Sequence, residues 1–292
     1  MVEDGSTLRR RQLGGELRRL RNTAGLLIKD AADALNRSPT WLSRVETAQE
    51  GAVLRPAEVR ELARIYGVAD EQQVEKLLDL LRLRAQHDWW EPFKDVLPSG
   101  LETFVGLESD ARREQAFEPL IVPGLLQTES YARAMFATDR TRGSEATERL
   151  VAMRMERQRA LTRKRDPLEL HAILDEAALR RAVGGPPVML EQIQHLTVTA
   201  TELAHVTVQI VAYAAGAHTG MAGAFSLLAF DDNPENTIVY VDSPAGNLYL
   251  EKARDVQRFT ADFAELRAAA CDPDDSLALM KSIAKDYAHG LG

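Results

Sequence analysis

Ser38, Thr40, Ser43 and Arg44 bring together the groups that read nucleic acid. A guanidinium such as that of Arg44 donates two parallel hydrogen bonds to guanine, and hydroxyls such as those of Thr40 and Ser43 reach base edges or phosphates. These groups share a face only if the segment from Pro39 is helical. Leu42 and Val45, three apart, then turn inward, while Pro39, Thr40, Ser43 and Arg44 face out. The start of that helix is written in two residues. Ser38 supplies an N-cap oxygen, and Pro39 fits the first helical position, where its missing N–H costs nothing.

The elements that must hold this face are legible on either side. A helix is expected from about Ile28 to Leu35, with Ala31, Ala32 and Leu35 on its inner side, the small alanines permitting a close crossing. Asn36-Arg37 makes the turn, because Asn tolerates the left-handed backbone such a turn often needs. Together these predict a helix-turn-helix, the layout that sets a recognition helix into the DNA major groove. The competing reading is an ordinary helical hairpin with a charged surface. Flanking helices favour the DNA reader: one over 13–21 with Leu13, Leu17 and Leu20 in a stripe, and one from Pro56 with Val59, Leu62, Ala63 and Tyr66 inward. From Asp70 to about Gln86, Val74, Leu77, Leu78 and Leu81 recur at helical spacing. That stripe is the last helix of the bundle, a linker, or a dimer seam. Trp89, Trp90 and Phe93 beside Pro92 are expected to pack a junction. The organisation is thus 1–86 for an all-α helix-turn-helix bundle, 87–98 for a junction, and 99–292 for a larger domain.

A net charge of −8 looks wrong for a nucleic-acid binder. Its distribution resolves the conflict: residues 1–66 carry +3 and the remainder −11. A basic reader on an acidic body keeps non-specific affinity low. Arg9, Arg10 and Arg11, placed ahead of the first helix, form either a phosphate-tracking arm or a solvated tail; Lys29 and Arg37 are further candidates for backbone contact. The single cysteine, Cys271, excludes an internal disulfide and fits a reducing cytoplasm. No apolar run has membrane-spanning length, and the charged N-terminus does not read as a signal peptide.

The region from Ser99 reads as α+β with a mixed or antiparallel sheet. An extended stretch over 116–122 ends at Pro123-Gly124, and a helix is expected from Leu125 to Phe136. A long charged helix over 144–165 turns Leu150, Met153 and Leu161 inward. A strand over 169–174 leads into a helix capped by Asp175 and Glu176. After Gly184-Gly185-Pro186-Pro187 a helix is expected over 188–205. Strand candidates follow at 206–213, 225–230, 237–241 and 247–250, with a turn at Asp232-Asn233-Pro234, and helices at 252–270 and 276–289 close the chain.

The segment LGGELRRLRNTAGLLIKDAADALNRSPTWLSRVET, with its LRRLR…AG opening and its LSRVE recognition helix, resembles the lambda-repressor-like (Xre-type) DNA-binding domain. That resemblance implies Thr40 and Arg44 as base readers, Ser38 and Ser43 as phosphate or positioning contacts, and a structural role for Glu46. The chain departs from the pattern at Ile28, where many members carry a phosphate-contacting Gln. Trp41 is also unusual, either packing under the turn or stacking on the sugar-phosphate backbone. Beyond the reader, FEPLIVPGLLQTESYARAMF, RMERQRALTR, ILDEAALRRAVGGPPVMLEQIQHL and AHTGMAGAFSLLAF…IVYVDS resemble the C-terminal domain of WhiJ-type actinobacterial regulators, a domain sometimes labelled antitoxin-like. The resemblance implies transcriptional control and, in many members, a small partner protein encoded nearby.

The larger domain offers little reactive chemistry. His171, His195, His205, His218 and His289 are scattered without metal-ligand spacing, and no nucleophile elbow or phosphate loop is present. No metal, cofactor or enzymatic role is expected. Gly216–Gly223 reads as a glycine-rich connection or as a lid offering His218 and Thr219 to a ligand. Val122–Thr128 reads as a structural turn or as a pocket wall offering Gln127 and Thr128. Two functions follow. In one, a cytoplasmic homodimer binds a palindromic operator in double-stranded DNA, and its C-terminal domain senses a small molecule or small protein. In the alternative, that domain is an antitoxin-like protein-binding module and DNA binding is autoregulatory. A large apolar patch around Leu125-Leu126 or on the acidic surface favours the second, and a closed, mostly apolar cavity with a few polar groups the first.

Overall fold

The leucine stripe of the first helix sets the N-terminal core. The computed structural model describes residues 6–47, 54–86, 88–98, 100–230, 236–243 and 246–290, with the backbone alone at 6–12, 79, 80, 82–86, 88 and 91. These fall into two units, Met1–Pro92 and Phe93–Gly292. The turn expected at Asp232-Asn233-Pro234 lies outside the described residues. No helix among the described residues is long and apolar enough to cross a membrane.

The first unit is a bundle of α1 (Ser6–Thr23), α2 (Ile28–Ala34), α3 (Pro39–Glu46), α4 (Pro56–Ile65) and α5 (Glu71–Gln86). Leu17, Ala31, Ala32, Leu42, Val59, Leu62 and Leu78 are wholly buried in one core. Val74, Leu77 and Leu81 are buried in the same core, so the α5 stripe is bundle interior. The helix begins earlier than expected at the N-terminus. Arg9–Arg11 lie within α1 instead of preceding it, and their side chains lie outside the described residues.

The α2–α3 turn is built as its residues dictate. Asn36 has φ 53°, its N–H donates to Asp33 O at 3.0 Å, and Arg37 N–H donates to Ala32 O at 2.9 Å. These two bonds satisfy carbonyls left open at the end of α2 in a Schellman arrangement. At the opposite side, α1 crosses the end of α3 at backbone distance. A Cβ at Gly14 would stand 2.4 Å from Val45 O and 2.9 Å from Glu46 O. Backbone oxygens cannot swing aside as a side-chain tip can, so Gly14→Ala is expected to cost about 1–3 kcal/mol of first-unit stability by overpacking. Chemical denaturation of the two proteins measures this, and an unchanged midpoint would show that α1 and α3 can separate freely.

The second unit contains α6 (Leu101–Asp110), β1 (Arg113–Glu118), α7 (Glu129–Phe136), α8 (Ser144–Arg157), α9 (Arg159–Thr162), β2 (Glu169–Asp175), α10 (Glu176–Arg180), α11 (Pro186–Glu202), β3 (Val206–Val211), β4 (Phe225–Ala229), β5 (Thr237–Val241), β6 (Leu248–Leu250), α12 (Ala253–Ala269) and α13 (Pro273–Ala288). The sheet is mixed, in the order β3-β2-β1-β4-β5-β6. β1, β2 and β3 run parallel, joined by helical crossovers, whereas β4, β5 and β6 pair antiparallel. The chain therefore grows outward from β1 in one direction and then, from β4, in the other.

Three expected elements are shifted: the stretch expected over 116–122 is strand β1 over Arg113–Glu118. The helix expected from Leu125 is a 3-10 turn, Gly124–Leu126, followed by extended Gln127, and α7 starts only after the Thr128 cap. The long charged helix breaks at Gln158 into α8 and α9. Alternation along β1 divides its side chains between two environments. Phe117 enters an apolar core with Ile173, Phe225, Val239, Phe263 and Leu266. Glu114, Ala116 and Glu118 share the opposite face.

Candidate DNA-reading face and candidate ligand cavity

Helix α3 is held from beneath by a buried ion pair and from its start by a cap. Ser38 Oγ accepts the Trp41 N–H at 3.1 Å. Arg21 donates to both Glu46 carboxylate oxygens, Nε at 2.7 Å and Nη2 at 2.8 Å, and its Nη1 donates to Leu26 O at 2.9 Å. One guanidinium thus ties α1 to the end of α3 and to the segment before α2. Its charge-assisted, two-toothed geometry is the strong form of such a bond.

Above that support, Pro39, Thr40 and Arg44 are exposed and Ser43 is half-buried, while Leu42 and Val45 point into the core. Arg44 makes no ion pair with any described residue, whereas Arg37 is bridged to Glu58 through Nε at 3.1 Å. Arg37 also stands 5.0 Å over the ring of half-buried Trp41, which packs against the bundle core. Lys29 is exposed on α2. Ile28, in place of a polar residue, is half-buried and packs against the core. A bare cation and a hydroxyl on the outer face of a braced helix are the minimum for direct base reading.

In the second unit the expected ligand residues divide into two separate pairs. Gln127 is buried, its Nε2 donating to Val122 O at 2.7 Å and its Oε1 accepting from Arg154 Nη1 at 2.9 Å. Thr128 caps α7 by accepting the Tyr131 N–H at 3.2 Å, and its own N–H donates to Gln192 Oε1 at 2.7 Å. His218 lies instead against Asp175, with Nε2 and Oδ2 3.2 Å apart, and edge-on to Phe117. Thr219 donates to Asp262 O at 3.2 Å. A 3-10 turn at Tyr213–Ala215 precedes the Gly216–Gly223 segment, which holds a second at Thr219–Ala222, and a Cβ at Gly220 would meet the Phe117 ring at 2.3 Å.

The feature that sequence reasoning missed lies between β1, β4, α6 and α8. A cavity of about 110 Å³ is lined there by Glu114, Ala116 and Glu118 of β1, Ser226 of β4, Glu108 of α6, and Arg154 and Arg157 of α8. Arg157 is buried and donates to both oxygens of buried Glu108, at 2.8 and 2.6 Å. Glu114 accepts from Ser226 Oγ at 2.9 Å through Oε1, but its Oε2 is buried without a partner. Arg154 Nε is likewise buried and unpartnered. Such orphaned groups are costly in a folded interior unless something else satisfies them.

Burial, with the neighbouring Glu108 charge, pushes the Glu114 carboxyl up to about 8. Burial also lifts Glu118 to about 8 against the pull of Arg154. A folded-state value above the unfolded one makes the proton stabilising: the contribution is complete below the ordinary carboxylate range and is lost as pH rises through about 8. The unit's melting temperature is therefore expected to fall between about pH 5 and 9, and Glu114→Gln, which cannot ionise, to flatten that fall. Melts at a series of pH values measure it; parallel curves for the two proteins would contradict the buried, protonated carboxyl.

Residues 12–77 match a family described as a helix-turn-helix domain, and residues 101–282 match one described as a domain of unknown function, DUF5753. No curated protein and no solved structure matches the chain. The second match spans more than half of the sequence, so the chain belongs to the DUF5753 family and joins that domain to an N-terminal helix-turn-helix of the DNA-binding kind.

Proposed function

We propose that this protein is a sequence-specific transcriptional regulator of the Xre type, in which Thr40 and Arg44 of α3 read base edges in the major groove. The observation that carries this reading is Arg44, exposed and without an ion pair among the described residues, on a helix fixed by Ser38 below its start and Arg21–Glu46 below its end. Ser38, Pro39, Trp41 and Ser43 position the helix or meet phosphates, with Lys29 and Arg37 beside them. The regulator acts in the cytoplasm as a homodimer on a palindromic operator, since bundles of this layout read half-sites about one helical turn apart.

The C-terminal unit, of WhiJ type, is assigned a sensory role without catalysis, the sensed molecule entering the cavity between β1 and α8. Leu125 and Leu126 are buried and offer no apolar patch to a protein partner, which removes the support that the antitoxin-like alternative would draw from that segment. Selection of short random duplexes by the full-length protein tests the regulator reading. Enrichment of a two-fold symmetric motif is the expected result. Uniform recovery of all sequences, at the salt where binding is still measurable, would overturn it.

A further inference from the structure

We infer that the β1–α8 cavity is a binding site for the ammonium group of a small organic amine, with the Glu114 and Glu118 side chains as its receptor. This deepens the sensory role proposed above and rests on it. The charges facing Glu114 come from every wall. Glu118 lies on its own strand, Glu108 on α6, Arg154 and Arg157 on α8, and Tyr240 and Asp242 at and beyond the end of β5. Arg157 is spent on Glu108 in a two-toothed pair, which leaves Arg154 against Glu114, Glu118 and Asp242. Once Glu114 and Glu118 ionise, the surplus is acidic, so the ligand complementary to that state is a cation.

Geometry agrees with charge. Glu114, Ala116 and Glu118 are alternate residues of one strand and face the same space, with the small Ala116 as floor between two carboxyls. Glu114 is 4% exposed, its Oε2 is unpartnered, and its ionised carboxylate offers acceptors alone. An ammonium group brings three donors to such acceptors. The site also lies where strand order reverses, between β1 and β4, beside the carboxyl end of β1 at Glu118, the place where open α/β sheets collect ligands. At about 110 Å³ the cavity is smaller than one that holds benzene, so it takes roughly four non-hydrogen atoms, or the head of a longer molecule leaving past exposed Asp242.

The titration of these carboxyls supplies a signature. An amine enters as a cation and expels the proton that burial keeps on Glu114, so binding tightens with pH up to about 8 and releases a proton below it. The test is calorimetric titration of the full-length protein with propylamine, propan-1-ol and propionate, to about 50 mM, the range a ligand so small requires. Propylamine is expected to bind, more tightly at pH 8 than at pH 6.5, with heats that depend on buffer ionisation, while the neutral and anionic probes do not compete with it. Glu114→Gln is expected to weaken it about tenfold and to reduce the buffer dependence, with Glu118 still releasing its share of protons. Ala116→Leu, which fills the floor without touching a charge, is expected to abolish binding, so the inference stands on two variants. Binding of propanol or propionate in place of propylamine overturns the amine and leaves a sensory cavity of another class. Binding of none of the three overturns the inference and assigns the space to water. DNA binding by the same preparation reports on the reader independently.

Discussion

Glu46→Ala is expected to remove about 3–5 kcal/mol from the first unit, because it leaves the Arg21 guanidinium buried and unpaired. The side chains of Arg21 and Glu46 are 11% and 3% exposed, so water cannot take over the lost acceptors without opening the core. Arg21 cannot escape by shedding its proton, because a guanidinium stays charged in a protein. Against a total stability of about 5–15 kcal/mol for an ordinary domain, that is a loss of about a fifth or more. Amide exchange in the full-length protein resolves the effect. Protection is expected to fall across α1, α2 and α3 together, since Arg21 binds all three regions through Glu46 and Leu26 O. Replacing both partners, Arg21→Met with Glu46→Leu, is expected to recover most of the protection, because a well-packed apolar pair avoids the desolvation cost altogether. Unchanged protection in Glu46→Ala would show that the pair is dispensable and that the Leu17–Leu42 core holds α3 unaided.

The reader was legible in the sequence because each of its parts has a local physical cause. Asn36 is left-handed where the turn required it, Ser38 caps where the helix had to start, and the stripes of α1, α4 and α5 meet in a single core. The structural part expected for Glu46 is also visible, although its partner Arg21 was hidden among the other arginines of α1. The cavity was not legible, for three reasons. Helix α6 is buried from Thr103 through Glu108, so no polar face alternates with an apolar one and no helical period shows. β1 begins at Arg113, three residues before its first apolar position, so the extended stretch expected over 116–122 leaves Glu114 outside it. Finally, the acidic pair meets Ser226 and Arg154 only through the β1–β4 pairing and the α8 crossover, which are long-range facts that spacing along the chain does not encode. Arg154 and Arg157 lie among the many charges of the helix expected over 144–165, where nothing local distinguishes Arg157, buried with Glu108, from an exposed arginine.

Arg44→Ala is expected to cost about 1–3 kcal/mol at a specific site, a loss of roughly fivefold to more than a hundredfold in affinity, with no cost in stability. The stability half follows from its exposure and lack of an ion pair among the described residues. The affinity half follows from the bidentate match of a guanidinium to the O6 and N7 edge of guanine. A residue that met only phosphate would behave differently: its loss would weaken binding to all sequences alike and lower the salt dependence by about one counterion. The most direct measurement is therefore the affinity of wild type and Arg44→Ala for the selected duplex and for each single-base variant of it, at about 0.15 M salt. The account predicts that wild type discriminates at every position of a half-site and that Arg44→Ala becomes indifferent at one base pair while keeping the rest. Identical discrimination by the two proteins, or an equal loss on every sequence, would contradict α3 as the base reader.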